Sequence, residues 1–289
     1  MSKSKIEWTD ATWNPITGCS KISPGCDHRT FHRDKLDEPL GWKKPRRIFI
    51  CSMADWMHDD VDPQWIDDIL EVVAACPQHT FLTLTKRPGN FAAKLYGVTR
   101  DCPCRELGGG DYLPNLWLGV TAENQEQADK RIPILLQIPA AKRFVSVEPM
   151  LGPILLTSTT RCPLCGGCGS LQSGDHNWSQ CVGCGGWGSW SRDYLSGLDW
   201  VILGGETGPG ARPMDTDWAR AVRDQCQDAG VPFFFKGGGA NPILGCPPGE
   251  ESLGQFREDG SARYWKLEGN LKGRLLDGGE WNQFPEVAK

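Results

Sequence analysis

The sequence lacks several features that would each point to a particular class of protein. It contains no apolar run close to the roughly 20 residues that a membrane-spanning helix needs. Basic residues are not in excess, because 31 Lys and Arg stand against 36 Asp and Glu. That balance argues against a protein that coats nucleic acid and leaves only local basic patches as candidate contacts. The first residues carry charges with no apolar stretch after them, unlike a secretory signal. We therefore expect a cytoplasmic protein with no membrane partner.

Patterns of hydrolytic catalysis are equally scarce. The five histidines show no metal-ligand spacing, and Ser52 has no evident base partner, so a catalytic triad receives little support. Cysteine, by contrast, is abundant: the chain has 13 among 289 residues. In a chain of this length without an export signal, clustered cysteines are more typical of metal binding than of disulfides.

Short apolar runs alternate with helical patterns along the first 240 residues. Six runs rich in β-branched and aromatic residues predict buried strands: Arg47–Met53, Thr80–Thr85, Leu116–Thr121, Arg143–Val147, Trp200–Leu203 and Val231–Phe235. Capping signals predict helices after Asp62, after Asn124 and between Asp215 and Gly230, with Pro133 interrupting or ending the second. Such alternation requires parallel strands joined by crossovers, in a barrel or a doubly wound sheet. We predict an α/β fold, a parallel (partial) β/α barrel with an inserted zinc ribbon.

Composition changes divide the chain into three parts. Residues 1–155 and 199–245 are predicted to form the barrel-like domain. Residues 156–198 interrupt the alternation with a Cys-, Gly-, Ser- and Trp-rich stretch, which we interpret as an inserted module. Residues 246–289 are rich in Gly and Pro without periodicity, and we expect them to wrap the domain.

Two cysteine pairs in the inserted module have the spacing of a zinc ribbon. Cys162 and Cys165 form one Cys-x-x-Cys pair, Cys181 and Cys184 form the other, and 15 residues separate them. Two such turns bring four thiolates to the corners of a tetrahedron, which leaves no open position for chemistry. We expect a structural Zn²⁺, with Cys168 as an alternative ligand. The ribbon alone does not say whether it contacts nucleic acid or protein.

Charged side chains recur where the predicted strands end. The candidate catalytic residues are Lys86, Glu123, Glu148, Glu206 and Lys236, and Asp55 lies just beyond another strand. In a parallel barrel these ends meet on one face, where the catalytic groups of such folds lie. Strand ends are also ordinarily wet and charged, so any one of these residues has an alternative explanation. Their recurrence favours a shared site, with Arg212 and Asn124 as weaker additions.

Aromatic and basic residues are interleaved near the start of the chain. This region contains Trp8, Trp13, Trp42, Trp56, Lys43, Lys44, Arg46 and Arg47. Such residues can stack on bases and neutralise phosphates. Packing in a core explains tryptophans more often, so both interpretations stand.

A series of short motifs resembles a family of phage and prophage proteins with a three-cysteine motif. The motifs are Trp8–Pro15, Thr17–Cys19, Ser23–Cys26, Ser52–Asp55, Leu84–Pro88, Gly119–Asn124, Ser146–Pro149, Leu151–Pro153, Gly204–Glu206, Gly208–Pro213 and Phe233–Lys236. The family's cysteine loop looks like the cluster loop of radical S-adenosylmethionine enzymes. The resemblance therefore implies a partial barrel of that kind, a [4Fe-4S] cluster held in part by Cys19 and Cys26, and bound S-adenosylmethionine. It also implies a protein partner encoded nearby and, if a phage encodes the chain, the host cytoplasm.

The chain departs from this pattern at its third cysteine position, which Arg29 occupies. Two thiolates do not securely hold a four-iron cluster. His28 or His32 could replace the missing ligand, or Cys19 and Cys26 could be reduced structural thiols. Two functions follow: an enzyme of the radical type that acts on nucleic acid or a nucleotide, or a non-catalytic zinc-ribbon protein that binds nucleic acid or a host protein.

Overall fold

The core of the protein is a parallel sheet whose strands follow one another in sequence order. The computed structural model describes residues 4, 6–18, 29–96, 112–161, 170–172, 178–180, 189–243 and 274–286. The seven strands are β1 (Ala11–Trp13), β2 (Arg47–Ile50), β3 (Thr80–Thr85), β4 (Leu116–Thr121), β5 (Lys142–Val147), β6 (Trp200–Gly204) and β7 (Phe233–Gly237). Every neighbouring pair is parallel. β1 and β7 are the two edges, so the described strands form half of a barrel.

All six predicted strands are present in this sheet, with small shifts at their ends. β2 stops at Ile50 rather than Met53, because Cys51 has a φ of 54° and leaves the extended backbone region. β7 begins at Phe233, two residues later than predicted, and continues to Gly237. Sequence analysis missed β1, whose three residues include only two with buried side chains.

Three helices of regular length cross between the strands, and their predicted capping residues are in place. α1 (Pro63–Ala75) begins at Asp62, whose side chain accepts from the Gln64 amide. α2 (Gln125–Leu136) begins at Asn124, which accepts from the Gln127 amide, and it continues through Pro133. α3 (Thr216–Ala229) ends at Gly230, whose φ of 68° gives the left-handed cap that only glycine adopts without strain. Short helical segments occur at Arg33–Leu36, Glu38–Gly41, Gly89–Phe91, Ala92–Tyr96 and Leu195–Gly197.

The two faces of the sheet bury different cores. Alternate residues of each strand point to opposite faces, and one face packs against the helices through residues such as Phe81, Val145 and Phe233. The other, inner face buries an aromatic cluster: Trp8, Trp117, Phe144, Trp200 and Phe234, with Leu82 and Ile202. Gly119 leaves the space that the Phe144 ring fills, since a Cβ there would lie 2.5 Å from the ring.

In the part of the chain that the structure describes, five two-stranded pairs lie outside the main sheet. They are Ile16–Thr17 with Thr30–Phe31, Thr157–Arg161 with Ser189–Asp193, Ser170–Gln172 with Trp178–Gln180, Met214–Asp215 with Pro242–Ile243, and Leu275–Leu276 with Gly279–Glu280. In sequence, the third pair lies between the two strands of the second, within the predicted insertion. The four predicted zinc ligands, Cys162, Cys165, Cys181 and Cys184, and the alternative ligand Cys168 lie outside the described residues.

The segment 274–286 covers the free edge of β7. The Phe235 amide donates to the Trp281 carbonyl at 2.9 Å, and the Gln283 amide donates to the Phe233 carbonyl at 3.2 Å. Phe284 closes the inner aromatic cluster, with its ring 5.2 Å from that of Trp200. The described end of the chain thus supplies hydrogen bonds that an exposed strand edge would leave unmade.

The four N-terminal tryptophans belong to the core. Trp8, Trp13, Trp42 and Trp56 expose 8% of their surface or less. Their side chains are therefore packed rather than presented to bases, and core packing is the interpretation that holds. No helix in the described ranges has the length and apolar character needed to cross a membrane.

Candidate active site at the carboxyl ends of the strands

The five predicted catalytic residues lie at the carboxyl ends of five strands. Lys86 follows β3, Glu123 follows β4, Glu148 follows β5, Glu206 follows β6, and Lys236 lies in the last part of β7. Because all these strands are parallel neighbours, their ends lie along one edge of the half barrel. The structure brings four of the five together as two ion pairs, and the fifth, Glu206, pairs with Arg212, one of the two weaker additions to the predicted site.

Lys86 and Glu123 form the first ion pair. Nζ of Lys86 lies 2.5 Å from Oε1 of Glu123, and Nη1 of Arg131 lies 2.8 Å from Oε2. Burial raises the pKa of the Glu123 carboxyl, but the other influences lower it by more. These are the hydrogen bonds from Lys86 and from the Glu123 amide and the charges of Lys86 and Arg131. The pKa of Glu123 therefore lies below its usual range. Sequence analysis missed Arg131, because a helical residue several positions beyond the strand end gives no local signal.

Glu148 and Lys236 form the second ion pair, from strands that are not neighbours. Nζ of Lys236 donates to Oε1 of Glu148 across β6, which lies between their strands. Gly204 provides the space beneath this pair, because a Cβ there would lie 3.2 Å from the Lys236 Cβ. Both side chains are about three-quarters buried. A proton donor and a proton acceptor thus stand side by side at the end of the sheet.

Glu206 pairs with Arg212, which the sequence analysis named as a weaker addition to the site. Oε2 accepts from the Arg212 amide at 2.7 Å and from Nε at 2.8 Å, and Oε1 accepts from Nη2 at 2.9 Å. These hydrogen bonds lower the pKa of Glu206 to about 2. Asn124, the other weaker addition, caps α2 through its side chain.

The loop that carries Glu206 packs backbone to backbone against the loop after β7. The Gly205 amide donates to the Gly237 carbonyl at 2.9 Å, and the Ala240 amide donates to the Glu206 carbonyl at 2.8 Å. A Cβ on Gly205 would lie 2.3 Å from the Gly238 carbonyl oxygen. The Gly204-Gly205-Glu206 motif therefore has a packing role that explains its glycines.

Asp55 organises the ends of β2 and β3. Its carboxylate accepts from Thr85 Oγ1 at 2.8 and 3.0 Å and from the Lys86 amide at 3.2 Å. It also accepts from Arg87 Nη1 at 3.1 Å and from the Met57 amide at 3.1 Å. Asp55 thus orients Lys86 and Arg87, the two consecutive residues that follow β3.

A cavity of about 630 Å³ opens beside Asp55, Lys86 and Arg87. Phe49, Leu84 and Thr121 contribute to its lining, as do Gly18 and Arg29. In sequence, Gly18 and Arg29 flank residues 19–28, the segment of the predicted cluster loop, which lies outside the described residues. Cys19 and Cys26 themselves lie outside the described residues. A volume of this size is within the range of small-molecule sites, about 300–1,000 Å³.

Arg29 does not fit the role of a cluster ligand. Its guanidinium has no lone pair, and Nη1 donates to Asp60 Oδ2 at 2.9 Å. His32, a candidate replacement, shares a hydrogen bond of 2.7 Å between its Nε2 and Thr17 Oγ1, and His28 lies outside the described residues. The described ranges contain no group of three or more His, Cys, Asp or Glu side chains that could hold a metal ion.

Cys51 lines the cavity but is not a reactive thiol. It is 3% exposed, and burial raises its pKa to about 12. Cys76 and Cys226 are also buried, with raised pKa values. The cysteines within the described ranges therefore belong to the core.

Comparison with known proteins gives one match. The model of the family described as "Protein of unknown function (DUF5131)" matches residues 3–29 and 27–285. The chain belongs to this family. No curated protein and no solved structure matches it.

Proposed function

We propose that this protein is an enzyme of the radical-S-adenosylmethionine-like barrel type that acts on a nucleotide or on nucleic acid. Its active site lies at the carboxyl ends of the strands, and its catalytic residues are Lys86, Glu123, Glu148, Glu206 and Lys236. The observation that carries the proposal is the ion pairing of these strand-end residues, one of which, Lys86, lines a cavity of about 630 Å³. Enzymes built on parallel barrels have their catalytic groups at this edge.

The Glu148–Lys236 and Lys86–Glu123 ion pairs suit proton transfer and the orientation of a substrate. In the Glu148–Lys236 pair, a shared hydrogen bond and partial burial hold the carboxylate and the ammonium in a fixed geometry. In the Lys86–Glu123 pair, the half-exposed Lys86 lines the cavity while the mostly buried Glu123 is anchored to Arg131. Lys86 is thus positioned to contact a substrate, and Glu123 to orient it.

The cluster that the resemblance implies would be held in part by Cys19 and Cys26. Because Arg29 offers no ligand atom, we assign no chemical step to an iron–sulfur cluster or to S-adenosylmethionine in this chain. A structural Zn²⁺ at Cys162, Cys165, Cys181 and Cys184 is a separate proposal.

The test is a search for a modified nucleotide. The full chain would be incubated without oxygen with mixed nucleotides and short oligonucleotides, with reductant and S-adenosylmethionine added or omitted, and the products analysed by mass spectrometry. A mass change that the Glu148→Gln variant loses supports the proposal. An unchanged mixture under every condition contradicts it. Lys130→Gln is the control, because Lys130 is an exposed residue on α2 that pairs with Glu126.

A second candidate function rests on the insertion. Thr157–Arg161 and Ser189–Asp193 pair as an antiparallel stem, and a second hairpin, Ser170–Gln172 with Trp178–Gln180, follows within it. The predicted zinc ligands fall between these strands in sequence, as they do in a ribbon. If the ribbon binds nucleic acid or a host protein without catalysis, removing residues 158–191 abolishes binding, whereas Glu148→Gln leaves it unchanged.

A further inference from the structure

Thr121 on β4 and Ser146 on β5 place two hydroxyl groups side by side on the inner face of the sheet. The two residues are partners in the parallel register of these strands. Their neighbours along the chain, Val120, Val145 and Val147, pack into the core that faces the helices, so Thr121 and Ser146 point to the opposite face. Because adjacent strands lie about 4.8 Å apart, the two hydroxyls are close enough to contact one small group.

These hydroxyls lie between the aromatic cluster and the charged ends of the strands. On β5, Phe144 of the inner cluster comes two residues before Ser146, and Glu148 comes two residues after it. On β4, Glu123 follows Thr121 at the same spacing. Thr121 also lines the cavity of about 630 Å³. The inner face therefore changes from aromatic to hydroxyl to ionised side chains towards the carboxyl ends.

Ser146 is a buried residue whose hydroxyl is unpaired in the described part of the chain. The residue is 2% exposed. The other buried hydroxyl residues, Thr9, Thr83, Thr85 and Thr216, each form a hydrogen bond through their side chains. Ser146 forms none with the described residues, and its oxygen is not among their fully sealed polar atoms. Because a buried hydroxyl without a partner is unfavourable, a ligand that reaches this oxygen gains by supplying one.

The charged side chains around the hydroxyls compensate one another. The pairs are Lys86 and Arg131 with Glu123, Lys236 with Glu148, Arg212 with Glu206, and Arg87 with Asp55. Each of these charges faces an opposite charge at close range, so together they do not favour an ion as the ligand of the hydroxyls. The groups at this level of the inner face therefore suit an uncharged part of a substrate.

Apolar side chains line the same cavity. Phe49 on β2 and Leu84 on β3 both contribute to its lining and pack against the inner aromatic cluster. A hydroxyl both donates and accepts hydrogen bonds. Apolar surface beside two hydroxyls suits a flat, uncharged ring with donors and acceptors on its edge, which is the chemistry of a nucleobase.

We propose that Thr121 and Ser146 are specificity-determining residues that hydrogen-bond the edge of a nucleobase, with one face of the base against Phe49 and Leu84. The inference rests on the proposed function and deepens it, since it names the part of the substrate that the site distinguishes. A free nucleoside and a base within a strand offer the same groups to the two hydroxyls.

Equilibrium binding to the full chain tests this site without any turnover. The probes are adenosine, guanosine, cytidine, uridine and ribose, followed by a trinucleotide with the preferred base at its centre. We expect one nucleoside to bind at least about tenfold more tightly than the least favoured one and than ribose, because a mismatched edge leaves a buried hydroxyl unpaired. Tighter binding of the trinucleotide than of the nucleoside identifies a strand as the source, and the reverse order identifies a free nucleoside.

Two variants remove the hydroxyls one at a time. Ser146→Ala and Thr121→Val should each weaken binding of the preferred nucleoside about three- to tenfold and reduce the preference, because each removes one neutral hydrogen bond. Thr121→Ser should keep the preference, since it keeps the hydroxyl. Thr80→Val is the matched control, because Thr80 is the first residue of β3 and lies at the opposite end of the strands.

Urea denaturation of the ligand-free proteins separates recognition from a structural role. Ser146→Ala removes a hydroxyl that no described residue pairs with, so this variant should be at least as stable as the wild type while it binds more weakly. A clear loss of stability would show that the hydroxyl serves the fold, and the inference would fail.

The recognition site is disproved if no nucleoside binds, if all four bind alike or no better than ribose, or if Ser146→Ala and Thr121→Val both retain the wild-type preference. These outcomes are distinct from those of the proposed function. Nucleotide modification without base preference would remove only this inference, and base-selective binding without any reaction would remove only the proposed catalysis.

Discussion

Asp129 on α2 and Arg192 at the end of the inserted stem form a two-point ion pair. Nε and Nη2 of Arg192 donate to the two carboxylate oxygens of Asp129, each at 2.8 Å. Tyr194 donates to the same carboxylate at 2.9 Å, and Arg192 also reaches Ser158 on the opposite strand. One carboxylate on the barrel thus anchors both strands of the stem.

Replacing Asp129 should loosen the stem while the sheet remains folded. We expect Asp129→Ala to speed proteolytic cleavage within the insertion and to cost about 1 kcal/mol of unfolding free energy, since the pair is partly exposed. Limited proteolysis with mass spectrometry measures the first effect and urea denaturation the second. Glu126→Ala is the control, because Glu126 lies on the same helix but pairs only within it, through Lys130. Equal cleavage rates in the two variants would show that Asp129 is not the anchor.

The pair of Glu206 and Arg212 should make stability depend on pH. The pKa of Glu206 is about 2 in the folded protein and 4.5 as its ordinary value. The unfolded chain therefore takes up the proton first, and the contribution is present above about pH 4.5 and lost as pH falls towards 2. In urea titrations, Glu206→Gln should be less stable than the wild type at about pH 6, and the difference should shrink at lower pH. A difference that stays constant across this range would exclude the ionised carboxylate as its cause.

Most of the sheet was predictable because its strands are buried on both faces and so form continuous apolar runs, as in Trp200–Leu203. Helix starts were predictable from single capping residues such as Asp62. The end of β2 was not predictable from the sequence. Cys51 adopts a left-handed backbone conformation there, and such a conformation has no sequence signature at a residue other than glycine. At the site, Lys86 and Glu148 were predictable because each directly follows a strand. The ion pairs were not predictable, because the contact of Arg131 with Glu123 and the contact of Lys236 with Glu148 across β6 depend on tertiary packing.

The close contact between the loops after β6 and β7 predicts intolerance of a side chain at Gly205. Gly205→Ala would place a methyl group 2.3 Å from the Gly238 carbonyl oxygen, so the two loops must separate. We expect a loss of about 1–3 kcal/mol in the free energy of unfolding, typical of overpacking. Gly41→Ala is the control, because a Cβ at Gly41 meets no atom within 4 Å. Equal stability of the two variants would contradict the packing role given to the motif.

Zinc content tests the proposed ribbon directly. Freshly purified protein should contain about one tightly held zinc per chain, since four thiolates at Cys162, Cys165, Cys181 and Cys184 would all be deprotonated on binding. Cys165→Ser or Cys181→Ser should release it, whereas Cys226→Ala should not, because Cys226 is buried in α3. Elemental analysis measures the zinc content of each protein. If the unmodified protein contains no zinc, the proposed zinc ribbon is excluded.

Arg29 should prevent stoichiometric assembly of a four-iron cluster, and a cysteine there should permit it. Wild-type protein reconstituted without oxygen, with iron and sulfide, should hold well below about four irons per chain, because Cys19 and Cys26 give only two thiolates. Arg29→Cys should raise the iron content, because it supplies a third thiolate. Arg29→Ser, which lacks a thiolate, should not gain iron. Iron analysis and visible absorption distinguish the three proteins. A full cluster in wild type and Arg29→Cys alike would mean that His28, His32 or another group is the third ligand. Negligible iron in both would argue against a cluster loop.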